Sequence, residues 1–454
     1  MKKKMLKVAF SLMAGIVLAG CGAPASEEAQ VKDKGQAETQ APEKATDGEA
    51  QDVVTVTFWD ENAGDGRTEH YKKLIEMFEA ENPGIKIEYL GLSQTEAQSK
   101  YQTAIQADET PDVGGTIDDW TAAIVQQDIC YPLDEYFMAS GLDKVYNEKI
   151  LDIAKNLHPD GKLYYLPVTT NFNGFWINND MFAEAGLPGA PKDWEEFFTY
   201  CEKLTDADNG KYAFAIRGGS SSPSELMNLM YSYSGIESIF TEDGKCTVND
   251  PKNVEFLHRL QEIYGKYTAE SDITAGYKEL VAAFDSGSAA MIYHNLGSYN
   301  THKGAFADES SFSFNPYPMG TNGKYVYDAS GTTGYVMFKT CDHPEEAWKW
   351  IEFMMSHEGN SYWNQMIGQI PVNSEALEDD WVKNAPHIRT AIETINQDYA
   401  VGLVKPEYLP GYSSVNATHL EPAIQSMLSG DISVEELLDT WAQYYEEEYA
   451  AAHQ

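Results

Sequence analysis

The chain has 454 residues, of which 43% are hydrophobic and 12% aromatic, and this composition excludes wholesale disorder. Its formal net charge is -39, from 71 acidic and 32 basic residues, so the surface would repel nucleic acid and anionic lipid. A chain of this length exceeds one ordinary hydrophobic core and predicts two lobes or domains.

A targeting signal opens the chain. Four lysines among the first seven residues precede an apolar run, Val8–Leu18, which is too short to span a bilayer. The run ends in Leu18-Ala19-Gly20-Cys21, which resembles a bacterial lipobox. The resemblance implies a lipoprotein signal peptide over residues 1–20 and acylation of Cys21, palmitate included, at the extracytoplasmic face of the cell membrane. An ordinary signal peptide followed by a chance cysteine is the alternative.

The segment after this cysteine is polar and contains almost no aliphatic side chain larger than alanine. Such a segment cannot bury enough surface to offset the entropy lost on ordering. We therefore expect residues 21–53 to be a lipidated cysteine followed by a disordered tether.

The folded part begins with a strand, a helix and a second strand. Apolar residues alternate with threonine over Val54–Phe58 and with polar residues over Ile85–Tyr89, and the intervening run Tyr71–Phe78 is apolar at helical spacing. This order predicts a parallel strand pair with a right-handed crossover. Ligands of open α/β sheets sit beyond the carboxyl ends of the strands, so residues 59–66 and 116–120 are the first candidate site walls.

A stretch from Gly161 to Phe198 combines extended and helical signals. Leu163–Thr170 and Asn173–Asn178 predict strands, and Asp193 with Glu196 predicts a capping box that opens an apolar helix. Its motifs K-L-Y-Y-L-P, F-W-I-N-N-D-M-F, A-G-L-P and P-K-D-W-E-E-F resemble the segment by which sugar-binding proteins of bacterial importers pass from the first lobe to the second.

Three later segments resemble the same family in the same order. Residues 284–293 are similar to a strand entry of the second lobe, residues 331–338 to the return strand, and Gln369–Asn373 to the third crossing. The chain from Val54 to Tyr449 thus resembles extracellular solute-binding protein family 1, the maltodextrin-binding-like group of sugar-binding lipoproteins.

The resemblance implies a two-lobed α/β fold of the periplasmic-binding-protein type II, in which each lobe is a mixed sheet flanked by helices. It implies three interlobe crossings, near Pro167, Asp328 and Ile370. The segments expected to build the lobes are residues 54–167 plus 329–370 for the first and residues 168–328 plus 371–454 for the second. It further implies a substrate-binding lipoprotein of an ABC importer. Such a protein would act as a monomer without a cofactor, capture a carbohydrate between its lobes and deliver it to permease subunits in the membrane.

Sugar recognition needs flat apolar faces for C–H patches and planar polar groups for pairs of hydroxyls. Residues of these two kinds follow strand ends or lie in loops, and the candidate ligand-binding set is Trp59, Asn62, Asp119, Trp120, Asn171, Asn173, His294, Asn295, Tyr299, Thr332, Tyr412 and Asn416. The resemblance places a carboxylate at Asp119, and Trp120 would add a stacking face. For each candidate an ordinary loop residue is the alternative, whereas Trp176 alternates inside a strand and is predicted to lie in the core.

Enzyme motifs are missing from the sequence. Residues 218–222 read G-G-S-S-S rather than G-x-S-x-G, and neither a phosphate-binding G-x-x-x-x-G-K-[ST] nor an H-E-x-x-H pair occurs. We therefore expect no catalytic residue and no metal site. Two other functions stay open: a receptor for a polyamine, peptide or metal chelate, which Asp118 and Asp119 would suit, and a polysaccharide-processing enzyme of the cell surface.

Four cysteines remain after Cys21, and they could pair in three ways in an oxidising compartment. Cys201 lies on the apolar stripe of a predicted helix, which favours a packed thiol.

Overall fold

The computed structural model describes residues 53–64, 66–329 and 333–453, except for the side chains of residues 94, 95, 118 and 119. The predicted signal peptide, Cys21, nearly all of the predicted tether and Thr332 lie outside the described residues. None of the described helices has both the length and the apolar character needed to cross a bilayer.

Strands and helices alternate along most of the chain. The described residues form the strands β1 (Val54–Asp60), β2 (Ile85–Gly91), β3 (Val113–Ile117), β4 (Leu166–Pro167), β5 (Thr169–Thr170), β6 (Asn173–Asn178), β7 (Tyr212–Ala215), β8 (Ala289–Asn295), β9 (Phe312–Asn315), β10 (Tyr325–Asp328), β11 (Thr333–Met337), β12 (Ile370–Pro371) and β13 (Ala400–Leu403). The helices are α1 (Arg67–Glu81), α2 (Gln94–Ala107), α3 (Asp118–Val125), α4 (Asp134–Ser140), α5 (Glu148–Lys155), α6 (Asn179–Glu184), α7 (Trp194–Leu204), α8 (Ser222–Ser234), α9 (Pro251–Ile263), α10 (Tyr277–Asp285), α11 (Tyr299–Ala305), α12 (Pro344–Met355), α13 (His357–Ile367), α14 (Asp380–Lys383), α15 (Pro386–Ile395), α16 (Tyr412–Val415), α17 (Glu421–Leu428) and α18 (Val434–Ala452).

The first lobe is built on a five-stranded sheet in the order β2-β1-β3-β11-β4. β1 is parallel to β2 and β3, whereas β11 is antiparallel to β3 and β4. The predicted parallel pair is therefore confirmed. The predicted apolar stripe of α1 is also confirmed, because Tyr71, Leu74 and Phe78 are buried in the core that this sheet forms with α12.

The second lobe has a four-stranded sheet in the order β7-β8-β6-β9 and a separate hydrophobic core. β6 is antiparallel to β8 and β9, and β7 is parallel to β8. Trp176, in the centre of β6, is 1% exposed, and its indole N–H donates to the carbonyl of Asn295 at 3.0 Å. The prediction of a core position for Trp176 is confirmed. The capping box predicted at Asp193 and Glu196 forms in part: the Asp193 carboxylate accepts from the Glu196 amide, but the Glu196 carboxylate accepts from the amide of Lys192 rather than from that of Asp193.

Three segments join the lobes, near Pro167, Asp328 and Ile370, as predicted. The first and third pair with each other, since Thr170 lies opposite Ile370 in the short sheet of β5 and β12. The single strand predicted over Leu163–Thr170 is wrong. It is divided into β4 and β5 because the two halves pair with different strands, β11 and β12.

The pairing at the crossings brings one edge of each sheet together. β11 enters the first lobe with Thr333 opposite Ile117, the last residue of β3. β6 enters the second lobe with Asn173 opposite Asn295, the last residue of β8. The carboxyl ends of the parallel strands in both sheets therefore lie next to the crossings and border the cleft between the lobes.

The third crossing does not carry the chain directly into the second lobe. Residues 372–374 stay on the first lobe, where the amide of Asn147 donates to the carbonyl of Val372 and the amide of Ser374 donates to that of Val145. Leu377 packs against the second core, and Val382 is buried in it. We therefore propose a boundary near residue 375 rather than at residue 371.

A buried asparagine in α13 connects two of the crossings. The Asn360 side chain is fully buried and donates to the carbonyl of Val168 at 2.9 Å, in the first crossing. Its carbonyl oxygen accepts from the amides of Val372 and Asn373, at 3.0 and 3.1 Å, just after the third crossing. One amide side chain thus supplies the hydrogen bonds that the irregular backbone on both sides requires.

The cysteines Cys130, Cys201, Cys246 and Cys341 are buried free thiols. Burial raises the pKa of the Cys201 thiol, and likewise that of Cys246, to about 12. These thiols are therefore protonated and unreactive at neutral pH, as expected for cysteines that pack as small apolar side chains.

Candidate functional site

Three aromatic rings lie together on the first lobe, at the carboxyl ends of β1 and β3. The Tyr101 ring lies between two of the predicted site residues, with centroids 5.3 Å from Trp59 and 5.4 Å from Trp120. The Tyr101 hydroxyl donates to the carbonyl of Gly115 at 3.0 Å, which fixes the ring against the sheet. Trp59 is half-buried and Trp120 is buried, with 7% of its surface exposed. We call Trp59, Tyr101 and Trp120 the aromatic cluster.

A groove opens beside the aromatic cluster, between helices α2 and α3. It has a volume of about 230 Å³. Its walls consist of amide and apolar side chains, namely Gln98, Tyr101, Gln102, Ile105, Gln106, Trp120, Ala123, Ile124 and Gln127. We call this feature the glutamine groove.

The two lobes touch at the edge of this groove, away from the crossings. The Gln98 amide of α2 donates to the Ser413 hydroxyl of α16 at 3.3 Å. The Gln126 amide, just after α3, donates to the carbonyl of Tyr408 at 2.7 Å, and α16 packs against α3. The aromatic cluster and the glutamine groove therefore lie where the first lobe meets the second.

A buried charged cluster follows β1 on the same edge of the sheet. The Arg67 guanidinium is 3.1 Å from the Glu61 carboxylate and 3.6 Å from the Asp60 carboxylate. The Tyr89 hydroxyl donates to Asp60 at 2.7 Å. Both carboxylates are buried, and β3 has Gly115 beside them because a Cβ there would collide with the Glu61 carboxylate. We call Asp60, Glu61 and Arg67 the buried triad.

Burial raises the pKa of Glu61 to about 7, while the attraction of Arg67 opposes that rise and the Asp60 charge adds to it. A carboxyl group whose pKa is higher in the folded state binds its proton more tightly when the protein is folded. The stabilisation that the protonated Glu61 contributes is therefore complete at pH values below the ordinary glutamate pKa. This stabilisation is lost as the pH rises toward 7.

We expect the Glu61→Gln variant to lose this part of the pH dependence. The stability of the native protein relative to the variant should fall between pH 5 and pH 8, because only the native chain must release a buried proton in this range. Urea unfolding at several pH values measures the difference. The exposed Glu69→Gln variant is the control, and parallel profiles for the native protein and Glu61→Gln would contradict the assignment.

The second lobe places charged side chains at the carboxyl end of β7. The Arg217 guanidinium follows this strand and lies 3.9 Å from the buried Glu225 carboxylate of α8. Burial raises the pKa of Glu225 to about 8, although Arg217 opposes the rise. His294, in β8, is buried under the Tyr277 ring at a centroid distance of 4.3 Å, and burial together with Arg217 lowers its pKa.

A second polar network lies beside the middle crossing. The Asp328 carboxylate, at the end of β10, accepts from the side-chain amides of Asn173 and Asn228 at 3.1 and 3.0 Å. The Lys405 ammonium is 3.3 Å from the same carboxylate and donates to the Ser224 hydroxyl at 2.7 Å. This network brings the predicted site residue Asn173 to the wall of the cleft.

Other predicted site residues lie close to the cleft edge. Asn62 lies in the turn after β1, directly after Glu61, and its backbone amide donates to the Asp60 carboxylate, while Asn171 precedes β6. Asn295 ends β8, and its backbone carbonyl accepts from Trp176. Asp119 belongs to α3, but its side chain, like Thr332 as a whole, is outside the part of the chain that the structure describes.

Three predicted site residues are engaged within the second lobe. The Tyr299 ring stacks on His387 at 3.9 Å, and its hydroxyl donates to Glu309 at 2.7 Å. Tyr412 is 1% exposed and its ring lies 5.8 Å from that of Tyr445. The Asn416 carbonyl oxygen accepts from the Tyr445 hydroxyl at 2.9 Å, in the π-helical stretch Asn416–Leu420. Tyr299 is held by neighbours in the second lobe, whereas Tyr412 begins α16, the helix that packs against α3 of the first lobe.

The sequence reasoning missed the charged residues of both walls. Glu61 belongs to the loop 59–66 that was predicted as a wall, and Arg67 begins the helix after it, but nothing in an acidic chain distinguishes a buried Glu from an exposed one. Arg217 could have been found, since it directly follows the strand-like run Tyr212–Ile216 in a chain with few arginines. Among the described residues, no His, Cys, Asp and Glu side chains converge in a set that could hold a metal ion.

Comparison with known proteins places this architecture in a family. A family model described as bacterial extracellular solute-binding protein matches residues 64–361. A protein of Brucella abortus (strain 2308), whose name contains the words binding protein and no ligand, is 26% identical over 328 residues, covering 69% of this chain and 75% of the relative. The maltotriose-binding protein of Pyrococcus abyssi is 24% identical over 345 residues, covering 73% of this chain and 70% of the relative.

Solved structures agree on the fold. The maltose-bound MalE3 protein of T. maritima superposes with a TM-score of 0.75 at 20% identity, covering 87% of this chain and 99% of that protein. At this identity the likeness shows the fold alone, which is the predicted two-lobed α/β fold with three crossings. Because the family model covers more than half of the chain, the chain belongs to the bacterial extracellular solute-binding protein family.

Proposed function

We propose that this protein captures a carbohydrate, namely an oligosaccharide, between its two lobes and delivers it to the permease subunits of an ABC importer. In this proposal a lipid anchor at Cys21 holds the monomer at the outer face of the cell membrane. The protein converts nothing and needs no cofactor, because capture and release are its whole task.

One observation carries the choice of carbohydrate, and it is the aromatic cluster at the edge of the first lobe. Trp59 and Trp120 flank Tyr101 there, and the amide side chain of Gln98 stands beside them. Flat rings cover the C–H faces of pyranoses, and side-chain amides match hydroxyl pairs as donor and acceptor. The maltotriose-binding relative and the maltose-bound structure support the same ligand class.

The proposed ligand contacts combine both walls of the cleft. On the first lobe they are the aromatic cluster, Asn62 and Asp119. On the second lobe and at the crossings they are Asn171, Asn173, His294, Asn295 and Thr332. We keep Tyr299, Tyr412 and Asn416 as proposed contacts of a ligand-bound state, in which their present neighbours would have to move.

A polyamine receptor is the second candidate, because buried carboxyl groups stand on both walls of the cleft. Glu61 lies beside Arg67, and Glu225 lies beside Arg217. A cationic ligand that bound next to these two carboxyl groups would favour their ionised form. The aromatic cluster favours the sugar, since the Lys100 ammonium already lies over the Trp59 ring, 4.7 Å from its centroid, and would repel a polyamine.

A thermal-shift screen of the purified protein against neutral oligosaccharides, spermidine and short peptides tests the proposal. A ligand at 100 times its Kd adds about 2.7 kcal/mol to stability, so a true ligand should raise the Tm by several degrees. A response to a neutral oligosaccharide alone is the expected result. A response to spermidine alone would replace the sugar with a polyamine, and new reducing ends after incubation with the sugars would indicate an enzyme.

A further inference from the structure

We propose that the glutamine groove extends the binding site and takes the outer units of a long, uncharged oligosaccharide. The inference rests on the proposed function, because it assumes that the inner units bind between the lobes. It adds a second binding surface on the outside of the first lobe. It also implies that the ligand must be long enough to reach this surface.

The size of the groove fits part of a ligand rather than a whole one. Its volume of about 230 Å³ lies below the range of about 300–1,000 Å³ for sites that enclose a complete small ligand. A separate receptor site would be larger. An open groove of this size suits single units of a chain whose other units are held elsewhere.

Among the residues that the structure describes, the lining of the groove carries no charge, although the protein is strongly acidic. None of its nine lining residues is Asp, Glu, Lys or Arg, although the chain has 71 acidic and 32 basic residues. Phosphates, uronic acids and polyamines need an opposite charge that the lining does not provide. The lining therefore selects a neutral ligand.

The polar and apolar groups of the groove match the chemistry of a sugar. Gln102, Gln106 and Gln127 are exposed, and each amide can donate to one hydroxyl and accept from another. The inner end is closed by the fully buried Tyr101 and by Trp120, which is 7% exposed, so the two rings form an apolar floor rather than an open stacking face. A neutral peptide would also bind these amides, and the proposed function favours the sugar.

The groove leads away from the cleft. α2 follows β2 and α3 follows β3, so both helices start at the cleft edge of the sheet and run side by side toward the opposite edge. The mouth lies at Gln98, which is bonded to Ser413 of the second lobe. A chain that leaves the cleft would therefore enter the groove at Gln98, where it would have to replace the hydrogen bond to Ser413.

Isothermal titration of the full-length protein with two neutral series tests the inference: maltodextrins and N-acetylglucosamine oligomers, each of two to six units. In the series that binds, we expect the affinity to rise about tenfold once the chain reaches the groove, since each added unit gains one or two hydrogen bonds. The variant Gln102→Ala/Gln106→Ala should bring the ratio of long-chain to short-chain affinity close to one. Ala123→Phe, which fills the groove with a ring, should do the same.

The control is Gln443→Ala, an exposed glutamine of α18 that is remote from the groove and should keep the native ratio. An affinity that does not depend on length, or a length gain that both groove variants retain, would overturn the inference and leave the proposed function intact. Binding of neutral peptides in place of sugars, lost in the same variants, would overturn the choice of ligand. Failure of both sugar series to bind would remove the proposed function and this inference together.

Discussion

Replacing Arg67 with methionine is expected to lower the free energy of unfolding by about 3–5 kcal/mol at pH 8, because it leaves two buried carboxylates without their cation. Glu61 is 1% exposed and Asp60 fully buried, so water cannot replace the guanidinium. The lost contact of Arg67 with the Trp363 ring, at 4.9 Å, adds to the cost. The loss should shrink at pH 6, where Glu61 takes up a proton, since its pKa of about 7 will rise further without Arg67.

Urea unfolding of Arg67→Met at both pH values measures this effect. The double variant Arg67→Met/Glu61→Gln is the matched control, because it removes one buried charge together with the cation and should recover much of the stability. A single variant that loses less than about 1 kcal/mol would mean that the pair contributes as little as a solvent-exposed ion pair does.

Replacing Asn360 with alanine is expected to cost about 2–6 kcal/mol, since the amides of Val372 and Asn373 lose their acceptor in a buried site, at about 1–3 kcal/mol each. The carbonyl of Val168 keeps a second donor, the Asn364 side chain, at 3.1 Å. The loss therefore falls mainly on the segment after the third crossing, and hydrogen exchange should report faster opening of these two amides.

Asn300→Ala is the control for this substitution, because the Asn300 side chain is exposed and makes one hydrogen bond, to the carbonyl of Met366. It should cost less than about 1 kcal/mol. Equal losses for the two variants, or unchanged protection of Val372 and Asn373, would show that Asn360 is not the residue that joins the crossings.

Local patterns predicted the strands and helices well because their signals are short-range. The alternation in β1 and the apolar stripe of α1 need only neighbouring residues to be recognised, and both were found. Leu163–Thr170 was predicted as one strand because its composition is strand-like, but strand pairing is decided by distant segments. β4 pairs with β11 and β5 pairs with β12, and no local sequence pattern predicts either pairing.

The sequence predicted which loops carry the candidate site, but not which side chains meet in it. Trp59 and Trp120 were named separately, and the structure brings them together through Tyr101. His294 was named as a loop residue, yet it belongs to a strand and lies under the Tyr277 ring, which only the tertiary fold places there. The burial of Asn360 was not predicted, because a polar residue in a helix is expected to be exposed unless its partners are known.

The position of β11 in the first sheet has a consequence for folding. β11 lies between β3 and β4, yet the whole sheet of the second lobe intervenes in sequence between β4 and β11. The first lobe therefore cannot complete its sheet until the chain has been made as far as Met337, and the pairing of β3 with β11 must close a very long loop. Such non-local pairing slows folding. The order of events follows from the topology: the second sheet, built from nearly continuous sequence, can form before the first.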